Sequence, residues 1–266
     1  MKILRFMTTG NRPMYGVWEE DAVRVIAGDP YGIWGISDTR FRLEQITLIL
    51  PPVDPPNIVG VGINFEAGAE EFGVPIPEHP PIHWQSTTSL TGRDRPLIIP
   101  RGLKDSATYQ VHLALAIRSQ LYEASEAEAA KGILGYTGAI TISFPTNPTE
   151  DGPAWTRGRS YDSTTSIGPF LQTKQERDDL NIRCRLNGTE VAFGKSSDFL
   201  FSCEKIVSEI SHRHTLRPGT LILTGPIPGV ETENGKPSSQ VHEGDILEVE
   251  VDGAGRLSNP VVAVDG

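Results

Sequence analysis

The chain has 266 residues, enough to bury a substantial core as one large domain or as a small unit plus a large one. Its formal net charge of −10 lacks the basic stripe that a nucleic-acid partner or an anionic membrane surface requires. Two cysteines, Cys184 and Cys203, exclude a disulfide framework. A pair of buried intracellular thiols is expected, with a single bridge the alternative.

The opening residues Met1-Lys2-Ile3-Leu4-Arg5-Phe6 lack the long apolar core of a signal peptide, and no run reaches transmembrane length. A cytoplasmic location is expected, so Asn187-Gly188-Thr189 reads as a hairpin turn and not a glycosylation site. In chain order, Ile3 to Met7, Met14 to Trp18 and Ala22 to Ile26 read as strands around tight turns. They form a small β-rich unit over residues 1–50, closed by the stiff connector Pro51-Pro52-Val53-Asp54-Pro55-Pro56. A larger domain is expected over 51–266.

Ile58 to Val61 reads as a short apolar strand, Glu66 to Phe72 as one or two helical turns, and Ile82 to Trp84 and Leu97 to Ile99 as further strands. Ser125 with Glu128 forms a capping box for a helix that Gly132 closes. Leu180 to Leu186 and Thr189 to Phe193 flank Asn187-Gly188 as a hairpin. Ser202 caps a helix expected to run through His214. Leu221 to Leu223, Ile246 to Val251 and Val261 to Val264 complete the strands. Many strands, few helices and 27 Gly with 21 Pro indicate a mainly β, α+β domain.

The stretch Ser106 to Ile117 is the most informative. Gln110, His112 and Ala114 alternate with Val111, Leu113 and Leu115, so Gln110 and His112 share one face of a strand, about 7 Å apart. His83 and Gln85 share a face by the same spacing, while Trp84 points the other way.

This stretch, with Gly62-Ile63-Asn64-Phe65 before it and Trp155-Thr156-Arg157-Gly158-Arg159-Ser160-Tyr161-Asp162 after it, resembles the fumarylacetoacetate hydrolase family. Leu90-Thr91-Gly92, Gly135-Tyr136-Thr137, Gly168-Pro169-Phe170, Leu216-Arg217-Pro218-Gly219 and Glu243-Gly244-Asp245 match it in order, over roughly Pro51 to Pro260. The resemblance implies a mixed β-sandwich or β-roll with the active site in its mouth, a small leading domain, and a homodimer. It also implies chemistry built on a divalent ion held by a Glu-x-Glu pair and a third carboxylate, with a mobile histidine activating water.

This sequence departs from that pattern at each part. The Glu-x-Glu pair aligns with Gln110 and His112, and the third carboxylate with Thr141. The lid's Asp-His aligns with Ala67 and Gly68, and two family lysines align with Arg159 and Gln85. One imidazole and two neutral oxygens suit neither Mg²⁺ nor Ca²⁺, and a single imidazole is a poor transition-metal site. The expectation is therefore no metal and no cofactor.

The replacements are nevertheless polar, so a hydrogen-bonding pocket is expected where the ion would sit. His112, His83, Arg159 and Gln110 are the candidate catalytic residues. Neutral imidazole both donates and accepts, and a guanidinium can stabilise a developing enolate. Gln85, Thr141, Arg157, Phe65 and Thr224 are the candidate substrate contacts. Tyr109 and Trp155 are assigned to the core, and His79, His212, His214 and His242 to loops and a helix end. Two function classes stay open. One is a metal-independent enzyme that guides isomerisation, C–C bond formation or cyclisation of a polyketide-like or dicarbonyl small molecule in a biosynthetic pathway. The other is a non-catalytic member that binds a metabolite or supports a partner subunit. Metal-dependent hydrolysis of acylpyruvate-type substrates is the third and least compatible with these residues.

Overall fold

The computed structural model describes residues 1–145, 156–173, 176–229 and 239–264. The chain begins with β1 (Lys2–Met7), β2 (Met14–Glu19), β3 (Ala22–Gly28), β4 (Trp34–Arg42) and β5 (Leu48–Leu50). After the proline connector come β6 (Ile58–Val61), helix α1 (Glu66–Phe72), β7 (Ile82–Gln85), β8 (Leu90–Thr91) and β9 (Leu97–Ile99). The central hairpin is β10 (Thr108–Ile117) and β11 (Ile133–Ser143), with α2 (Glu126–Gly132) between them. Then follow β12 (Thr165–Gln172), β13 (Asn181–Leu186), β14 (Thr189–Lys195), α3 (Cys203–Ser211), β15 (Leu221–Pro226), β16 (Ile246–Val251) and β17 (Gly255–Ala263).

The strands form two sheets. The large one has twelve strands in the order β4-β3-β2-β1-β12-β11-β10-β15-β6-β7, with β5 on β1 and β8 on β12; the small one is β14-β13-β16-β17-β9. The mainly β architecture expected from the sequence is the one observed. The strands of residues 1–50 continue the large sheet, because Lys2 and Ile3 of β1 pair with Gln172 and Leu171 of β12. β4 is an addition to the expected set. Its residues Ser37, Asp38, Thr39 and Arg40 lie on a mostly exposed sheet edge, so no apolar alternation announced it.

Local chemistry explains several elements. Asn187 and Gly188 adopt φ of 53° and 83°, the left-handed pair that a two-residue hairpin turn needs. Ser125 and Glu128 form the expected capping box. Helix α3 stops at Ser211, three residues short of the expected end. His212 caps it with Nδ1 against the Ser208 carbonyl at 2.8 Å, and the ring of His214 lies tilted by 44° against Trp84, centroids 4.6 Å apart.

β10 and β11 are buried along nearly their whole length. The main core packs Val111, Leu113, Ile140, Val249 and Leu257 with Ile206 and Ile210 of α3. Tyr109 belongs to this core, as expected, whereas Trp155 lies outside the described residues. Cys184 and Cys203 are free and buried, and burial pushes both thiols up to about 12. Among the described residues no helix is long and apolar enough to cross a membrane.

Candidate active site

Adjacent strands of the large sheet bring the candidate residues together. Gln110 of β10 stands directly across from Thr141 of β11, and His112 across from Ala139. On its other side His112 pairs with Pro226 of β15, and β15 leads through β6 to β7, which carries His83 and Gln85. His112 is 2% exposed and His83 7% exposed, so both imidazoles sit beneath the surface. The His83 ring fits because Gly60 of β6 lies opposite it. A Cβ at that position would come within 2.4 Å of the ring.

Hydrogen bonds orient these side chains. His112 Nε2 lies 3.2 Å from the Thr141 hydroxyl. The Gln85 amide nitrogen lies 3.3 Å from His83 Nε2, and Thr165 of β12 donates its hydroxyl to Gln85 Oε1 at 3.0 Å. Behind them Ser89 Oγ donates to the Ser86 carbonyl at 2.7 Å and lies 3.3 Å from Thr165 Oγ1. Arg159 ends the 3-10 turn Arg157–Arg159 and points Nη2 at Gln110 Oε1, 3.5 Å away.

The electrostatics follow from burial. Loss of water, then the charge of Arg159, then that of His112, lowers His83 to about 3. Loss of water and the charge of Arg159 lower His112 to about 3 as well. The Gly225 backbone opposes that shift, although among the described residues His112 Nδ1 has no partner in hydrogen-bond geometry. Burial also lowers Arg159 from its ordinary value. The site at neutral pH therefore holds two neutral imidazoles beside a guanidinium.

Other candidates take different places. Phe65 packs edge-on against Phe199, ring centroids 5.2 Å apart, and joins the main core. The Thr224 hydroxyl donates to the Leu113 carbonyl at 3.1 Å, a bond within the sheet. Arg157 is exposed, in contrast to Arg159. Trp84 faces away from His83 and Gln85, as strand alternation requires. Thr165 and Ser89 are site residues that sequence reasoning missed. A cavity of about 70 Å³ reaches Gln110 between Tyr109, Pro226 and Ile227, and α1 walls it with Gly68 and Glu71.

This donor set does not fit a divalent ion. Among the described residues no three His, Cys, Asp or Glu side chains gather in metal-binding geometry. Gln110, His112 and Thr141 contribute no anionic oxygen, and the Arg159 guanidinium beside them would repel a second cation.

Residues 57–262 match the family described as fumarylacetoacetate (FAA) hydrolase C-terminal, and residues 1–52 match the Rv2993c-like N-terminal family. The chain belongs to the fumarylacetoacetate hydrolase family. Among relatives, it is 32% identical to the mitochondrial oxaloacetate tautomerase fahd2 of Xenopus laevis, over 82% of this chain and 69% of that protein. It is 30% identical to a 2,4-didehydro-3-deoxy-L-rhamnonate hydrolase of a Sphingomonas species, over 74% of this chain and 70% of that one. The crystal structure of a 2-hydroxyhepta-2,4-diene-1,7-dioate isomerase from Mycobacterium marinum superposes with a TM-score of 0.86 at 27% identity, covering 100% of both chains. Tautomerase, isomerase and hydrolase are thus all names carried by fumarylacetoacetate hydrolase family proteins similar to this chain.

Proposed function

We propose that this protein is a metal-independent isomerase or tautomerase of a small oxo acid or dicarbonyl compound. The observation that carries the reading is the Arg159 guanidinium set against Gln110 beside two neutral buried histidines. A neutral imidazole, made more basic by the negative charge of a bound oxo acid beside it, takes a proton from the carbon next to a carbonyl. The oxygen then gains negative charge, which Arg159 stabilises where water is scarce. The imidazolium returns that proton to the oxygen or to a different carbon, so no water is consumed and the product is an isomer.

Helix α1 contributes a wall and no histidine, since Ala67 and Gly68 occupy its first turns. Its role in this reading is to exclude water from the charged intermediate. The same geometry serves a cyclisation or C–C bond formation, because the resulting enolate carbon is the nucleophile of those reactions. A biosynthetic setting and a homodimer, the family's usual assembly, complete the proposal. Light scattering at micromolar concentration checks the dimer.

A second reading is metabolite binding without turnover, in which the same buried polar cluster holds a ligand by hydrogen bonds alone. One experiment separates the two. Enol absorbance of oxaloacetate and of acylpyruvates is followed with the protein in excess EDTA. The proposal expects faster decay than in buffer alone, undiminished by chelator. Binding without acceleration favours the second reading.

A further inference from the structure

We infer that Glu71 makes this site selective for 2-oxo acids with one carboxylate and an uncharged, apolar far end, and turns away the corresponding dicarboxylates. The inference deepens the proposed function and rests on it for the assignment of Arg159 as the group that faces the substrate's oxygens. Helical spacing puts the Glu71 carboxylate in place. Gly68 and Glu71, three positions apart on α1, line the cavity that reaches Gln110. Glu66 and Glu70, four positions apart, line a separate cleft beside Asp198 and Phe199.

The cavity therefore has two unlike walls. On the β10 wall, Gln110 is the neighbour of the Arg159 guanidinium, 3.5 Å away. On the α1 wall, Glu71 is the one charged side chain among the described residues that line the cavity. The rest of the lining is mostly apolar, with Ala192, Pro226, Ile227 and Pro228. Arg157 shares a turn with Arg159 but is not among the described residues that line this cavity, and α1 itself has no basic residue.

Charge and hydration set the preference. A 2-oxo acid whose carboxylate and carbonyl oxygens turn to Arg159 keeps its negative charge on the β10 side and directs its remaining carbons toward α1. A methyl group there leaves water for apolar neighbours. A second carboxylate there loses water to the same lining and meets the like charge of Glu71. No cation among the described lining residues offsets either cost. Glu71 is exposed, so solvent and salt weaken the repulsion, and the discrimination is several-fold and not absolute. Oxaloacetate thus stays a usable probe of Arg159 while being a poorer ligand than a monoacid of equal length.

The matched acids 2-oxopentanoate and 2-oxoglutarate test this, since they share one carbon skeleton and differ only in ending on a methyl or a carboxylate. Their dissociation constants for the full-length protein are read in excess EDTA by ligand-observed NMR, and exchange of the C3 protons in D₂O is followed in parallel. The wild type should bind 2-oxopentanoate about threefold or more tightly than 2-oxoglutarate. Glu71→Gln should bring that ratio toward one, and Glu71→Lys should reverse it. Glu70→Gln, on the other face of α1, should leave it near the wild-type value. Wild-type preference for 2-oxoglutarate, a ratio that neither Glu71 variant moves, or binding of neither acid overturns the inference. Exchange judges the proposed function separately: the expected binding ratio without exchange supports the selectivity and removes the tautomerase reading, whereas exchange without the ratio does the reverse.

Discussion

Arg177 and Arg159 are both largely withdrawn from water, yet the chain surrounds them differently. The Arg177 side chain is 3% exposed and gives Nη2 to Glu204 at 2.6 Å, while its own carbonyl accepts from Ser196. Its charge is matched by a carboxylate, and the pair ties the loop before β13 to the start of α3. Arg159 instead approaches the neutral oxygen of Gln110 at 3.5 Å, beyond ordinary hydrogen-bond length, with two neutral imidazoles within reach of its charge. The first arrangement is what a fold uses to bury a cation. The second sets a cation beside polar side chains, where an enolate oxygen would be a stronger acceptor than the Gln110 amide.

The largest effect expected from this contrast is on stability. Arg177→Met should cost roughly 3–5 kcal/mol by leaving Glu204 without its partner, read from urea denaturation midpoints. Arg159→Met should cost less stability than Arg177→Met, since the Gln110 oxygen it leaves behind is neutral. Its turnover should fall about 10²–10³-fold, the usual loss when a donor to a developing oxyanion is removed. Equal stability losses in the two variants would erase the distinction.

A smaller effect sharpens the same contrast through pH. His83 and His112 titrate near 3 in the folded protein against 6.5 in the unfolded chain. Below pH 6.5 the unfolded chain therefore binds protons that the folded one refuses. Stability is fully present above 6.5 and falls with pH from there toward 3, by up to about 1.4 kcal/mol per pH unit for each histidine. His83→Asn should flatten the slope between pH 6.5 and 5, where carboxylates stay mostly ionised, by about one proton. An unchanged slope would mean that His83 is solvated or paired with an acid. The smallest effect is expected from metal: millimolar Mn²⁺ or Mg²⁺ should move the melting temperature by less than about 1 °C, because among the described residues no three His, Cys, Asp or Glu side chains gather in metal-binding geometry.

Part of this site was legible in the sequence. Alternation along Ser106 to Ile117 put Gln110 and His112 on one face, and the i, i+2 spacing did the same for His83 and Gln85. Thr141 and Arg159 came from the family resemblance, and the structure sets Thr141 across from Gln110. Thr165 and Ser89 were not legible. Thr165 lies 80 residues from Gln85, and strand order alone brings the two together. Phe65, expected as an apolar contact for substrate, packs its ring edge-on against Phe199 within the main core. The continuity of the first fifty residues with the large sheet was equally hidden, since it depends on the β1 to β12 pairing across about 170 residues.

The central claim is that Arg159, and no divalent ion, stabilises the enolate. Deuterium exchange at the methylene carbon of oxaloacetate, followed by proton NMR in D₂O with excess EDTA, tests it most directly. The account predicts protein-dependent exchange that survives chelation and is lost in Arg159→Met. Exchange that appears only when Mn²⁺ or Mg²⁺ is added, or that persists in Arg159→Met, would contradict it.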